Sequence, residues 1–304
     1  MTVEKEPMRS PEPGVSETLE PGLRRVLAPN PGPMTHWGTN TFIIGEGRIA
    51  IVDPGPENAA HFDALLQATR GETITHILVT HAHLDHSPLA RRLSRAIGAP
   101  VLAFGTASCG RSNIMSTLTA QGLAGGGEGV DHAFSPDLAL GEGDVIVGDN
   151  WTVDVLHTPG HFAGHLGFRF GDAVLSGDHV MDWSSSLVSP PDGDLRAFMA
   201  TSRRLRDAEH RVLHPSHGDA IGTPSDRLGW LIEHREARER QILNTLSATP
   251  RTARDIARRI YTDVPDAMLP AAERNVFAHL IDLHERNVVR ATPMLGASAH
   301  YSLA

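Results

Sequence analysis

Apolar and polar residues alternate along WTVDVLH (151–157), and a period of two predicts a strand with one buried face. The alternation stops at Thr158-Pro159-Gly160, where proline and glycine end regular structure. Earlier in the chain, TITHILVT (73–80) has the β-branched, apolar composition of a buried strand. SPLARRLSRAIG (87–98) then turns to helical spacing, with Pro88 in its first turn. HLGFRFGDAVLSGD (165–178) reads as a hairpin turning at Gly171-Asp172, and HRVLHPSHG (210–218) as a short strand closed by a Pro-Ser turn. Beyond that point the period lengthens. A long helix is predicted from Asp226 to Leu246, another over 252–260 and a third over 271–287, where Val276, Leu280 and Leu283 recur at helical spacing. Strands alternating with helices, then helices alone, predict a layered α/β core with a smaller helical domain behind it.

Composition narrows the class. The chain has 304 residues, 40% of them hydrophobic, and is long enough for two domains. No apolar run approaches the roughly 18 residues of a membrane span, so no membrane partner is expected. The opening MTVEKEPMRSPEPGVSETLEPG lacks a signal-peptide core, and five glutamates against Lys5 and Arg9 are wrong for a transit peptide. Residues 1–22 therefore read as a disordered tail of a cytoplasmic protein. One cysteine, Cys109, excludes an intrachain disulfide and fits a reducing compartment. Lys5 is the sole lysine, which excludes a lysine nucleophile in the body of the chain. Residues 1–223 carry 16 Lys+Arg against 26 Asp+Glu, or −10, while 224–304 carry 11 against 10, or +1, giving the −9 of the whole chain. Neither part has the charge of a phosphate-binding surface.

The chemistry lies in VTHAHLDHSP (79–88), on the predicted strand-to-helix loop. In extended chain, residues two apart share a face, so His81, His83 and Asp85 can converge while His86 starts the helix. Three more ligand-type residues stand where predicted strands end: His161 after the Pro-Gly break, Asp178 after Ser176-Gly177, and His217 after the Pro-Ser turn. Strand ends are where active sites of layered α/β folds collect. Imidazoles and carboxylates suit zinc, and three protein ligands leave a position open for water.

Together, T-H-A-H-L-D-H, H-T-P-G-H, S-G-D-H, P-S-H-G and IVDPG (51–55) resemble the metallo-β-lactamase superfamily over residues 23–222, in the two-metal hydrolase branch of glyoxalase II and ribonuclease Z. The resemblance implies an αββα sandwich, with two sheets packed together and helices outside. It implies that His81, His83 and His161 bind one metal ion, that Asp85, His86 and His217 bind a second, and that Asp178 bridges them. The ions would be zinc, with iron or manganese as other candidates. Asp85 and Asp178 then become the catalytic carboxylates around a metal-bridging hydroxide, formed near neutral pH because the metals acidify water. Asp53 would support a ligand from behind. His157 and His165 flank His161 and are expected behind the ligands or in the pocket, while His179 and His214 are expected to be structural. Residues 105–140 form an insert that contains LAGGGEGVD, read as a mobile loop over the site with Arg111 as its pocket-side cation.

RRVLAPNPGPMTHWGTNTFIIG (24–45), GDHVMDWSSSLVSPPDGD (177–194) and EHREARERQILNTL (233–246) further resemble the β-lactamase-like protein 2 group. That implies a hydrolase domain over 23–223 and a winged-helix-like domain over 224–304, with Val288, Val289 and SAHYSLA pairing as a small wing. Asp178 and the lack of a cysteine near the motifs argue against β-lactam hydrolysis, and His83 in place of a glutamate argues against the redox branch. The group includes thioesterase-like hydrolases and an endoribonuclease acting on single-stranded RNA. The acidic core favours a small ester or thioester, with single-stranded RNA as the alternative. A DNA-binding regulator with a vestigial metal site is disfavoured by the complete ligand set. The 271–287 helix sums to −1, which disfavours duplex DNA. The C-terminal domain is expected to pack beside the metal cleft, closing a wall or building a homodimer contact.

Overall fold

The computed structural model describes residues 10–125 and 129–304. The first sheet runs in chain order through β1 (Ser16–Glu20), β2 (Leu23–Leu27), β3 (Asn40–Ile44), β4 (Arg48–Val52), β5 (Thr73–Leu78), β6 (Val101–Ala103) and β7 (Leu138–Ala139). Its first four strands are antiparallel neighbours and the rest pair in parallel. Helices α1 (Ala59–Ala68), α2 (Pro88–Ile97) and α3 (Asn113–Ala120) lie in the parallel crossovers. The second sheet joins β8 (Val145–Val147), β9 (Thr152–His157), β10 (Leu166–Phe170), β11 (Ala173–Gly177) and β12 (Val212–Pro215) in the order β12-β11-β10-β9-β8. Helix α4 (Leu195–Asp207) connects the parallel pair β11 and β12.

The alternation of side chains decides how the layers stack. On β3 and β4, Phe42, Ile44, Ala50 and Val52 point inward and meet Val153, Val155, Leu166 and Phe168 of the second sheet. Ile43, Ile49 and Ile51 point the other way, against Leu65 of α1 and Leu93 of α2. On the far side, Val174 and Leu213 are covered by Leu205 of α4. The architecture is an αββα sandwich.

The chain continues as α5 (Pro224–Leu246), α6 (Ala253–Ile260), a single 3-10 turn (Asp266–Met268), α7 (Leu269–Glu285) and the hairpin β13 (Val289–Thr292) with β14 (His300–Leu303). That is three helices and a wing. Helix α5 serves two cores: Leu228 and Leu231 pack on the second sheet, while Ile242 and Leu246 enter the C-terminal core. Of α7 only Pro270 and Glu285 are exposed, so this helix is buried around most of its circumference. Among the described residues, no helix is long and apolar enough to cross a membrane.

Two expectations are corrected. Residues 16–20 are not a disordered tail but the edge strand β1, held by Glu17 accepting from buried Arg25 (2.7 Å) and by Glu20 accepting from His214 (2.9 Å). Residues 1–9 of that expectation lie outside the described residues. The 105–140 insert is not a mobile loop either, because α3 buries Met115 and Leu118 in the C-terminal core. The insert returns to the ligand loop, where Leu84 N donates to Gly129 O (2.7 Å) and His83 forms a bridge with Val130. Residues 126–128 of it lie outside the described residues.

Candidate metal centre

Strand β5 ends at Leu78, and the following loop turns its side chains toward the end of the second sheet. His81 Nε2 lies 2.9 Å from His83 Nδ1, which is 3.2 Å from His161 Nε2. Next to this group, Asp85 Oδ2 is 3.2 Å from His86 Nε2 and 3.1 Å from His217 Nε2. Asp178 Oδ2 sits between the two, 3.8 Å from His161 Nε2, 3.6 Å from His86 Nε2 and 3.3 Å from His217 Nε2. Among the described residues, the candidate donor atoms form three overlapping groups, each within 4.8 Å.

The outer ring nitrogens show which way the lone pairs point. His161 Nδ1 donates to Leu187 O (2.7 Å), His217 Nδ1 to Gly38 O (3.1 Å) and His86 Nδ1 to Asp53 Oδ2 (2.9 Å). Thr80 spends its one hydroxyl proton on Asp53 Oδ2 (2.7 Å), so it accepts from His81 Nδ1 (2.9 Å). Each of these four rings therefore carries its proton on the outside and aims Nε2 inward, the tautomer a metal ligand needs. His86 Nε2 and Asp178 Oδ1 are buried with no hydrogen-bond partner among the described residues. The residues fit divalent metal ions.

Electrostatics agree. Burial opposes the charge on Asp178 and Asp85, yet the neighbouring His217 and His86 hold both carboxyls well below the usual range. Burial likewise disfavours the imidazolium of His217, but Asp178 and Asp85 raise it to about 10. His83 is pushed down to about 3, first by burial and then by His161. Two ionised buried carboxylates demand compensating positive charge, which protons or metal ions can supply.

Other sequence-derived candidates fall at different depths. Asp53 is fully buried behind the loop, accepting from Thr80 N (2.8 Å), Thr80 Oγ1, His86 Nδ1 and Ser216 Oγ (3.0 Å). His165 does not reach the pocket. It is 0% exposed, donates to Thr158 Oγ1 (2.7 Å) and accepts from Asp178 N (3.1 Å), so it holds the backbone of Asp178. His157 is not in the site: its ring stacks on Phe104 and contacts Ala163 O (3.1 Å). Arg111 pairs with Asp192 (2.6 Å), a residue that lines the small cavity at His83 and His161. His179 is buried against Ser202, as expected of a structural residue. Sequence reasoning missed Ser216, Thr80 and the carbonyls of Leu187 and Gly38. Only Ser216 and Thr80 were open to it, as hydroxyls next to ligands.

A buried histidine near the site supplies a pH test. His61 donates from Nε2 to Thr41 Oγ1 (2.8 Å), whose own proton goes to Asp53 O (2.7 Å), and burial lowers its pKa to about 4. The folded pKa lies below the unfolded value of 6.5, so the stabilisation is complete above pH 6.5 and is lost as pH falls toward 4. Between pH 7 and pH 5 this one residue should cost about 2 kcal/mol. Urea unfolding of chelator-treated His61→Gln at both pH values should show the drop shrink by that amount. An unchanged drop removes His61 from the account.

A cavity of about 10 Å³ touches His83, His161, Leu187 and Asp192. Leu187 also borders a cleft of about 150 Å³ lined by Met34, Met181, Trp183, Val264 and Met268, with no charged side chain in its lining. Larger hollows of about 440 and 650 Å³ include none of the seven ligand-type residues.

Comparison with known proteins identifies the family. The family model of the Metallo-beta-lactamase superfamily matches residues 34–217, and that of the Beta-lactamase associated winged helix domain matches 252–294. The chain is 29% identical to the Beta-lactamase-like protein 2 homolog of Drosophila melanogaster, covering 90% of this chain and 91% of that one. It is 27% identical to the Atrochrysone carboxyl ACP thioesterase of Aspergillus fumigatus, over 79% of this chain and 70% of that one. Its structure is similar to that of a metallo-beta-lactamase family protein from Thermus thermophilus, with TM-score 0.76, 25% identity, and coverage of 94% of this chain and 100% of that one.

Proposed function

Since this chain belongs to the metallo-beta-lactamase superfamily and is a metal-dependent hydrolase, we propose that it uses two ions, zinc foremost, to cleave a small ester or thioester. His81, His83 and His161 would hold one ion, Asp85, His86 and His217 the other, and Asp178 would reach both. When bound, such ions supply Lewis acidity and make water acidic enough to attack near neutral pH. The chain's own residues do the rest. Asp53, Thr80 and the carbonyls of Leu187 and Gly38 fix the imidazole tautomers, and His165 fixes the backbone of Asp178.

The observation that carries the substrate reading is the uncharged cleft beside the centre. An acyl group gains from apolar walls, roughly 0.8 kcal/mol per buried methylene. A single-stranded RNA would need cations along its path. The thioesterase name of one relative points the same way. Duplex DNA is not expected as a partner, because α7, the helix that would enter a groove, is buried.

The test combines elemental analysis of the purified protein with a panel of acyl-thioesters, lactones and labelled single-stranded RNA. We expect two transition-metal ions per chain and acyl hydrolysis abolished by chelation. High-turnover RNA cleavage with no acyl substrate hydrolysed would reverse the substrate reading. One ion per chain in a well-loaded sample would end the two-metal reading.

A further inference from the structure

The segment between β11 and α4 passes from the metal centre to the C-terminal domain. Its Leu187 O accepts from His161 Nδ1 at 2.7 Å. On either side of Leu187 the backbone is held by two residues of the C-terminal helices. Val188 N donates to Asn275 Oδ1 (3.1 Å), and Arg235 donates to the carbonyl of Ser186. Arg235 Nη1 also donates to Asn275 Oδ1 (3.0 Å), closing the loop of contacts. We propose that Asn275 and Arg235 are positioning residues for His161: the C-terminal domain sets the Leu187 carbonyl, and through it the orientation of the imidazole that faces the metal.

Three observations support the relay over plain packing. Arg235 is 2% exposed, forms no ion pair with a carboxylate, and leaves its Nε without a partner among the described residues. A guanidinium buried that way is costly, and an apolar side chain of similar volume would stabilise the interface at least as well. What the guanidinium adds is a direction, toward Ser186 O and Asn275. Second, the segment has no slack: a Cβ at Gly193 would stand 2.7 Å from Ser189 N and 2.9 Å from His161 O. Third, Ser186 Oγ donates to His179 O (2.9 Å), next to Asp178, so the same segment is tied to both sides of the centre. A shift of the Ser186–Val188 backbone therefore reaches His161 directly.

The metal half of this inference rests on the proposed role of His161 as a ligand, so the test has two independent arms in the full chain. In chelator-treated protein, the His161 Nδ1–H resonance should be protected from exchange in the parent and lost in Asn275→Leu. Asn275→Asp, which keeps an acceptor oxygen for both Val188 N and Arg235, should retain it. In cobalt(II) titrations with chelator competition, Asn275→Leu should bind one ion about 10- to 100-fold more weakly with an altered d–d spectrum, while Asn275→Asp stays within about threefold of the parent. If Asn275→Leu does not fold, Arg235→Met is read in the same two arms. A protected Nδ1–H together with parent-like cobalt affinity in the folded variant overturns the relay. A parent that binds no cobalt defeats the metal reading, and the resonance arm still decides the relay.

Discussion

Asp178→Asn should lose more than about 10³-fold in turnover while still folding, a larger loss than the ~10² to 10³ typical of removing one electrostatic stabiliser. The side chain is isosteric, and its backbone N–H keeps the bond to His165 Nε2 (3.1 Å). What disappears is charge. Among the described residues, Asp178 Oδ2 is the one carboxylate oxygen within 3.8 Å of ring nitrogens from both groups of ligand-type residues, His161 on one side and His86 and His217 on the other. A neutral amide there would hold a pair of cations weakly and would do less to support the acidified water that such ions would supply. The measurement is kcat on the best acyl substrate of the panel, with circular dichroism and a melting curve to establish folding. Turnover within tenfold of the parent would remove Asp178 from this role.

The same strand-end geometry explains what the sequence made legible. His81, His83, Asp85, His86, His161, Asp178 and His217 come together because each follows a break in regular structure at one end of the two sheets. Glycine and proline mark those breaks openly, so Pro159-Gly160, Gly177 and the Pro-Ser turn could be read without coordinates. β1 could not, because SETLE has a single apolar residue, Leu19, too few to set up an apolar period, and an edge strand exposed on one face has no need of one. Nor could α3: the glycines of LAGGGEGVD dominate its surroundings and mask Met115 and Leu118, which stand three apart on one face. The uncharged cleft is assembled from residues near 34, 181–187 and 261–275, with no local pattern to announce it. The carbonyls of Leu187 and Gly38 are invisible in principle, since a backbone oxygen leaves no trace in residue identity.

Asp53 separates stability from metal affinity, and two substitutions should split the effects. The carboxylate accepts four hydrogen bonds, from Thr80 N, Thr80 Oγ1, His86 Nδ1 and Ser216 Oγ, and none of the residue is exposed. Asp53→Ala strands all four donors and places a Cβ without polar compensation at φ +50°. Removing one partner from a buried charged network costs about 3–5 kcal/mol, and that loss should appear as a large fall in the urea midpoint. Asp53→Asn behaves differently. Asparagine tolerates positive φ, its oxygen can still serve Thr80 N, and one of the hydroxyls of Thr80 and Ser216 can rotate to accept from its amide, leaving the second amide proton for His86 Nδ1. His86 cannot rotate its way out. Facing an NH₂ group, its Nδ1 must become the acceptor, which moves the ring proton to Nε2 and points it at Asp85 and Asp178. The ring then presents a proton where a lone pair is required. We therefore expect Asp53→Asn to retain most of the parent's stability yet bind metal at the Asp85, His86 and His217 group about 10- to 100-fold more weakly. Elemental analysis across a chelator series reads the affinity, and urea unfolding reads the stability. Two ions bound as tightly as in the parent would show that Asp53 does not govern the tautomer of His86.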